Sequence, residues 1–332
     1  MNKIMDLSFV IPCKNEDRYI SRCIDSILRQ KSERLNIEII VVDNGSTDNT
    51  IELLKSYGEN IKLYICPDLK IAELRNFGVK NCNYSWVAFI DADVEVHDDW
   101  GDNLYKFIGN LENNGVDIKQ VITGSTCIIP EGATWVEKLW YEQIIARDVH
   151  NAKYINSGNM IIHKQLFNTL GGFDPGFITG EEEKLCRDAP LCNGIIIKNE
   201  EIKAVHHGYP KNILTFFKRM RWHGLGMKWY IKNPWKSKPL LLAIYYVILV
   251  SVFVCLLIFS GHYVSNTMLF IALFVILQSA PVYIYAKRRS VGGNKNIMLL
   301  TYLYVVYGWA KVFALFDILT NKNNYRKSSI KC

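Results

Sequence analysis

The feature that most constrains this chain is a stretch of 48 consecutive residues, 239–286, without Asp, Glu, Lys or Arg. It divides into two apolar runs, 239–260 and 267–286, which are joined by a short uncharged connector. A helix needs about 20 apolar residues to cross the hydrocarbon core of a bilayer. A buried helix of a soluble protein is the alternative, but a globular surface rarely continues so long without charge. The sequence therefore predicts a helical hairpin in a membrane.

Charge is distributed unevenly on the two sides of this hairpin. Residues 1–202 carry 21 basic and 31 acidic side chains, whereas residues 203–238 carry nine basic and no acidic ones. Lys287, Arg288 and Arg289 follow the second run. Basic residues that flank a span stay on the cytoplasmic side. We therefore expect an integral protein of the cytoplasmic membrane whose acidic part faces the cytoplasm, with no role in nucleic-acid binding.

A third apolar run, 297–320, has two interpretations. It is long enough to span, but Lys311 in its middle costs about 2.5–3.5 kcal/mol on insertion scales. The basic tail, 321–332, also favours the cytoplasmic side. The run is expected to be either a third span or a re-entrant or interfacial helix, and the charges favour the second.

The segment 211–238 combines apolar residues at helical spacing with lysines, arginines and tryptophans. This pattern is typical of an interfacial helix that lies on anionic membrane lipids. A basic linker helix packed on a globular domain is the alternative, and the two interpretations are compatible. The expected organisation is a domain at 1–210, this linker, a membrane region at 239–320, and the tail.

The first 210 residues alternate short apolar runs with helical stretches. The expected strands are 7–11, 37–42, 61–65 and 86–90. The expected helices are about 17–30, 48–57, 70–81 and 98–113. This alternation predicts an α/β domain with a mainly parallel sheet covered on both faces. No GxGxxG motif or Walker loop follows a strand, which argues against dinucleotide and P-loop chemistry.

Acidic side chains follow two of these runs, at the sheet edge where ligands of such domains bind. Asp91 and Asp93 come directly after the fourth run. Their spacing lets both carboxylates face the same way, and carboxylate oxygens suit Mg²⁺ or Mn²⁺. Asp43 ends the second run, where it either accepts a hydrogen bond from a nucleotide or forms a turn. The sequence therefore predicts a metal and nucleotide site at this edge.

Three further features extend the site. Arg75, in a predicted helix, suits either a phosphate or a surface salt bridge. The acidic triplet 181–183 is either a solvated helix start or the source of a general base that takes a proton from an acceptor hydroxyl. His206 is either structural or a metal ligand. Each feature is weak by itself.

In their order along the chain, these segments resemble the family 2 glycosyltransferases, which have the GT-A fold. The resemblance covers about two thirds of the chain. The matching segments are SFVIPCKNEDRYISRCIDSILRQ (8–30), EIIVVDNGSTDNT (38–50), ELRNFGVKNCNYSWVAFIDADVEV (73–96), SGNMIIHKQLFNTLGGFD (157–174) and GEEEKLCRDA (180–189). The resemblance implies a metal-dependent inverting enzyme that moves a sugar from a nucleotide donor to an acceptor.

The resemblance also assigns roles to residues of this chain. The implied nucleotide-sugar contacts are Pro12, Asn15, Glu16, Asp43, Arg75, Asn76, Asp91, Gly158 and Asn159. The metal motif falls on Asp91 and Asp93, with His206 as a further expected ligand. The acidic acceptor-side motif falls on Glu181 and Glu182, which makes Glu182 the candidate base.

Membrane-attached members of that family often carry a QxxRW motif that holds the diphosphate. The corresponding residues here are Lys218, Arg221 and Trp222, and Lys218 departs from the motif. Glu182 and Asn44 also depart, because the family usually has Asp at both positions. Because every expected span is C-terminal, a single-addition enzyme is favoured over a polymer synthase.

A membrane anchor suits a lipid-linked acceptor, since confinement raises the effective concentration. The expected function is therefore sugar transfer to a membrane-associated, lipid-linked glycan in surface polysaccharide or glycolipid biosynthesis. Two alternatives stay open. One is a synthase that places one sugar on a polyprenyl phosphate, and the other is an inactive membrane scaffold that keeps the fold.

Overall fold

The structure is a computed structural model that describes residues 4–149, 153–259, 264–289 and 296–320. These residues form two compact units. The first contains the described residues of 1–131 and 147–209, and the second contains 132–146 and the described residues from 210 onward. The sequence assigned 132–146 to the domain at 1–210, whereas the structure groups this segment with the C-terminal helices. The predicted tail, 321–332, lies outside the described residues.

The first unit is built on a seven-stranded sheet with a separate two-stranded sheet. Its strands are β1 (Met5–Cys13), β2 (Leu35–Asp43), β3 (Lys62–Ile65), β4 (Trp86–Ile90), β5 (Val94–Val96), β6 (Val121–Gly124), β7 (Asn159–His163), β8 (Ile195–Lys198) and β9 (Ala204–His206). The large sheet has the order β3-β2-β1-β4-β7-β6-β8. Strands β1 to β4 are parallel, and β7 runs antiparallel to both of its neighbours. The predicted mainly parallel α/β sheet is confirmed.

Helices cover both faces of this sheet. They are α1 (Ile20–Leu28), α2 (Thr50–Ser56), α3 (Ile71–Lys80), α4 (Trp100–Asn113), α6 (Lys164–Thr169) and α7 (Glu181–Asp188). Helix α5 (Trp135–Val149) starts in the second unit and is described with it. Alternate residues of β1 enter opposite cores, as a strand covered on both faces requires. Phe9 and Ile11 pack in the core that contains Trp100, and Val10 packs in the core that contains Ala72.

The contact between α3 and β1 depends on a glycine. A Cβ atom at Gly78 would overlap Val10 Cγ1, whereas a Cβ atom at Gly109 in α4 would meet open space. Overpacking a core costs about 1–3 kcal/mol, and replacing a helical glycine with alanine gains about 1 kcal/mol. We expect Gly78→Ala to lower the thermal unfolding temperature and Gly109→Ala to raise it. Shifts of the same sign in both variants would contradict this packing.

The second unit is helical. Besides the start of α5, it contains α8 (Ile213–Gly224), α9 (Lys238–Phe259), α10 (Val264–Arg289) and α11 (Ile297–Leu319). Three of its helices, α9, α10 and α11, are long and apolar enough to cross a membrane, judged by length and composition. Only 17% and 6% of the most apolar windows of α9 and α10 are buried, compared with 39% for α11. Helix α11 is therefore the most enclosed of the three.

The charged residues of α11 have partners on α8. Lys311 Nζ donates a hydrogen bond to the Met220 carbonyl at 2.6 Å and lies 4.6 Å from the centre of the Tyr307 ring. Asp317 accepts two hydrogen bonds from Arg221, both at 2.6 Å. Charged side chains inside membranes are tolerated when they are paired or bonded to backbone carbonyls. This packing weakens the objection that Lys311 raised against a third span.

Candidate active site

The loops after β1 and β2 form one structure at the carboxyl edge of the sheet. The Asn15 backbone N–H donates to Ser46 Oγ at 2.8 Å, and the Thr47 backbone N–H donates to Asn15 Oδ1 at 2.8 Å. Asn15 has a φ angle of 56°, a left-handed conformation that asparagine tolerates better than most residues. The Glu16 backbone N–H donates to Thr50 Oγ1 at 2.8 Å. These hydrogen bonds fix the backbone conformation of the two loops at the predicted nucleotide edge.

Asp43 has the turn role that the sequence left open. Its side chain is fully buried, and its oxygens accept hydrogen bonds from the Ser46 backbone N–H at 2.8 Å and from Ser46 Oγ at 2.5 Å. Pro12 is also buried, opposite Val42 in the β1–β2 pairing. A direct nucleotide contact from Asp43 or Pro12 stays a prediction.

Arg75 is the electrostatic centre of the site. Its guanidinium is buried and donates to Asp91 Oδ1 at 2.6 Å and to Glu181 Oε1 at 2.5 Å. Burial by itself would lower the pKa of Arg75, but the charges of Asp91 and Glu181 raise it above its ordinary value. One cation therefore serves two carboxylates, from the end of β4 and the start of α7.

The two glutamates at the start of α7 differ in exposure. Glu181 is buried, and burial together with the charge of Glu182 raises its pKa to about 7, although Arg75 acts in the opposite direction. Glu182 is half-buried, and its Oε1 accepts a hydrogen bond from Tyr154 Oη at 2.7 Å. Glu182 is therefore the more accessible of the two carboxylates.

A second line of contacts runs from Glu182 back to Asp91. Asn156 Nδ2 lies 3.4 Å from Tyr154 Oη, and Asn156 Oδ1 accepts a hydrogen bond from the Gly158 backbone N–H at 2.8 Å. A Cβ atom at Gly158 would lie 3.0 Å from Asp91 Oδ2. Together with Arg75 and Glu181, these residues lie around one site, and we call the group the carboxylate ring. It consists of Asp91, Arg75, Glu181, Glu182, Tyr154, Asn156 and Gly158.

The two-stranded sheet brings the remaining predicted metal ligands together. Strand β9 pairs with β5, which places His206 Nε2 3.1 Å from Asp93 Oδ2. Directly after β9, His207 Nε2 lies 2.8 Å from Oε2 of Glu95 in β5. A Cβ atom at Gly208 would overlap the Asp93 carboxylate, so glycine leaves the space that this side chain needs. The pairing of Asp93 with His206 joins residues 113 positions apart.

Two predicted donor contacts have other partners in the structure. Asn76 Nδ2 donates to the Phe173 carbonyl at 2.7 Å, and Asn76 Oδ1 accepts from the Phe173 backbone N–H at 2.9 Å. Asn159 is fully buried and bonds to Trp100, to Ser125 and to the Ile202 carbonyl. In this conformation both asparagines use their amide groups to hold the protein together, and a direct donor contact from either one stays a prediction.

Arg221 and Trp222, the other predicted donor residues, belong to the second unit. Arg221 Nε and Nη2 both donate hydrogen bonds to Asp317, and this pair raises the pKa of Arg221. Trp222 is 36% exposed and packs against the His223 ring. Because the Arg221 side chain is 42% exposed and these bonds use only Nε and Nη2, a phosphate contact through its other N–H groups stays a prediction.

Sequence reasoning missed Tyr154 and Asn156. They precede the apolar strand β7 by a few positions, and no motif or periodicity marks them. The available signal was their position directly before the Ser157–Gly158 segment, which the sequence did identify. Their contacts with Glu182 and Gly158 exist only once β7 and α7 are folded.

The comparisons with known proteins agree with this architecture. Residues 8–171 match the family model for glycosyl transferase family 2. Glycosyltransferase AglE of Haloferax volcanii is 24% identical over 181 residues, which are 52% of this chain and 58% of the relative. A second relative, from Methanococcus voltae, is named dolichyl N-acetyl-alpha-D-glucosaminyl phosphate 3-beta-D-2,3-diacetamido-2,3-dideoxy-beta-D-glucuronosyltransferase. It is 25% identical over 200 residues, which are 53% of this chain and 59% of the relative.

Among solved structures, the mannosyltransferase PcManGT from Pyrobaculum calidifontis, in complex with GDP-Man and Mn²⁺, has a TM-score of 0.53. It is 14% identical and covers 96% of this chain and 88% of that one. This likeness supports the GT-A fold. The chain spans less than two thirds of the length of either curated relative. Through residues 8–171, which include Arg75, Asp91 and Asp93, the chain belongs to glycosyl transferase family 2.

Proposed function

We propose that this protein is an inverting glycosyltransferase that moves a sugar from a nucleoside diphosphate donor to a hydroxyl group of a membrane-associated acceptor. The observation that carries the proposal is the carboxylate ring. Within it, Arg75 connects Asp91, at the donor edge of the sheet, to the glutamate pair at the start of α7. The ring thus places a donor-binding edge next to a carboxylate that can act as a general base, and sugar transfer to a hydroxyl group requires both.

The chemistry is a single displacement. Glu182 takes the proton of the acceptor hydroxyl, and the acceptor oxygen forms a bond to the anomeric carbon. The bond from that carbon to the diphosphate oxygen breaks, and its electron pair leaves with the nucleoside diphosphate. Attack from the opposite face inverts the anomeric configuration. Glu182 suits the base role because it is partly exposed, while Glu181 is buried and paired with Arg75.

Asp93 and His206, with Asp91, are the residues that would hold a divalent cation. Asp93 Oδ2 and His206 Nε2 are 3.1 Å apart, as two ligands of one ion can be, and Arg75 is bonded to Oδ1 of Asp91 rather than to Oδ2. The described residues contain no group of three or more His, Cys, Asp and Glu side chains that could hold an ion. Mg²⁺ sites often use one or two carboxylates with substrate phosphates, so donor diphosphate oxygens would complete the set. A bound Mg²⁺ or Mn²⁺ would offset the charge of the departing diphosphate.

The acceptor is proposed to be a lipid-linked glycan of surface polysaccharide or glycolipid biosynthesis. Helices α9, α10 and α11 supply the proposed membrane anchor, and the name of the Methanococcus voltae relative includes a dolichyl phosphate sugar. The basic segment before α9 exposes Trp229 and Trp235, a composition that suits contact with anionic lipids. The flanking charges favour a catalytic unit on the cytoplasmic face.

Calorimetric titration of the detergent-solubilised protein tests the donor half of the proposal. We expect one of UDP, GDP and dTDP to bind more tightly with Mn²⁺ or Mg²⁺ than without it. In the Asp91→Ala/Asp93→Ala double variant, this metal dependence should disappear. Asp98→Ala/Asp99→Ala serves as the matched control, because it removes two nearby carboxylates outside the ring. Failure of all three nucleotides to bind would contradict the proposal and favour an inactive scaffold.

A further inference from the structure

We propose that Tyr154 is a positioning residue that orients the Glu182 carboxylate for proton abstraction. This inference rests on the proposed function and concerns the same site. Tyr154 Oη donates to Glu182 Oε1 at 2.7 Å. Because the phenol occupies Oε1, the second oxygen, Oε2, is the one that receives the acceptor proton. The hydrogen bond thus selects one carboxylate oxygen and fixes its direction.

The structure holds Tyr154 from two sides. Asn156 contacts its hydroxyl at 3.4 Å and is itself bonded to the Gly158 backbone. From α7, Cys186 Sγ approaches the Ile155 carbonyl at 3.8 Å, which ties the segment around Tyr154 to the helix that carries Glu182. These contacts restrain the segment that contains Tyr154, and the Tyr154 hydroxyl donates to the Glu182 carboxylate.

The charges around Glu182 explain why such a donor is useful. The groups that act on it are Glu181, Arg75, Cys186 and Tyr154. Burial raises the pKa of the Cys186 thiol to about 12, so the thiol stays neutral. Glu181 opposes a second negative charge beside it, and Arg75 is already shared with Asp91. A hydrogen bond donated to the ionised carboxylate stabilises that form, and Tyr154 supplies one.

Tyr154→Phe removes this donor and keeps the ring. Hydrogen bonds to charged groups contribute about 1.5–3 kcal/mol, so we expect kcat for sugar transfer to fall about 10- to 100-fold. The KM for the nucleotide sugar should stay within about twofold, because Tyr154 contacts Glu182 and not the donor edge of the sheet. The acidic limb of the kcat–pH profile should move to higher pH, because the hydrogen bond that Tyr154 donates to the carboxylate is lost. A purely structural role would not move this limb.

The assay measures transfer from the nucleotide sugar selected by titration to polyprenyl-phosphate-linked N-acetylglucosamine, with donor hydrolysis as a second readout. Tyr105→Phe is the matched control, because Tyr105 lies in α4 next to Arg34, outside the ring. In a Glu182→Gln background, Tyr154→Phe should cause no further loss, since the two residues act as one unit.

The outcomes separate this inference from the proposed function. Full activity in Glu182→Gln, or no transfer and no hydrolysis by the unchanged protein, would contradict the proposed function itself. Loss of activity in Glu182→Gln with an unchanged rate and pH profile in Tyr154→Phe would overturn the role of Tyr154 alone. A reduced kcat with an unmoved acidic limb, or an additive loss in the double variant, would also overturn it.

Discussion

Glu182→Gln is expected to reduce kcat for sugar transfer by about 10²–10⁴-fold, the usual contribution of a general base. The glutamine keeps the size of the side chain and can still accept from Tyr154, but it cannot take a proton from the acceptor. The affinity for nucleoside diphosphate should change little, because Glu182 lies at α7 and the donor edge is formed by the ends of β1, β2 and β4. Steady-state kinetics with both substrates varied would separate the two effects.

The neighbouring residue supplies the control. Glu183→Gln removes the same charge one position away, from an exposed side chain, and should retain most of the activity. Equal losses in both variants would indicate a general charge effect rather than a base. Retention of activity in Glu182→Gln would favour the polyprenyl-phosphate synthase, because a phosphate acceptor needs little deprotonation.

Among the single substitutions considered for stability, Arg75→Met is expected to lower the free energy of unfolding most. It leaves Glu181 buried without its cation, and removing one partner of a buried ion pair costs about 3–5 kcal/mol. For a unit of this size, that corresponds to a fall in Tm of about 10 °C. The measurement is thermal unfolding in detergent, followed by intrinsic tryptophan fluorescence.

The pH dependence of this loss has a defined sign. When the pKa of a carboxyl group is higher in the folded than in the unfolded state, the free energy of unfolding falls as the pH rises above the pKa of the unfolded state. Glu181 already has a pKa of about 7, and loss of Arg75 raises it further. The difference in Tm between Arg75→Met and the unchanged protein should therefore be larger at pH 8 than at pH 6.

Two further variants test the reason for the loss. Arg22→Met removes an arginine whose side chain is 57% exposed and whose nearest carboxylate contact is at 3.7 Å, so its Tm should change by less than about 2 °C. Arg75→Met/Glu181→Met removes both charges and should recover part of the stability lost in the single variant. A double variant less stable than Arg75→Met would contradict the ion-pair explanation.

The parallel half of the fold follows directly from local patterns. Runs such as 86–90 are continuously apolar because both faces of the strand are covered, and the predicted strand coincides with β4. Asp91 could be assigned to the site edge because the acidic residue follows that run at once. The antiparallel strand β7 was not predicted from its residues, because the direction of a short apolar run depends on its long-range partners β4 and β6.

The sequence predicted which residues belong to the site better than it predicted the role of each residue. Carboxylates at 91, 93, 181 and 182 could be named from the sequence, but the difference between Glu181 and Glu182 depends on burial by distant residues. Asn76 and Asn159 show the same limit. Polar residues near a site are equally consistent with substrate contact and with support, and here their amides bond to Phe173, Trp100 and Ile202. Tyr154 was missed because only the folded chain brings it to Glu182.

Transfer by a single displacement at the carboxylate ring determines the anomeric configuration of the product. The protein would be incubated with an α-linked nucleotide sugar and the polyprenyl-linked acceptor, and the product analysed by NMR of its anomeric proton. We expect the unchanged protein to form a β-linked product and Glu182→Gln to lose this activity. An α-linked product would contradict single displacement with Glu182 as the base.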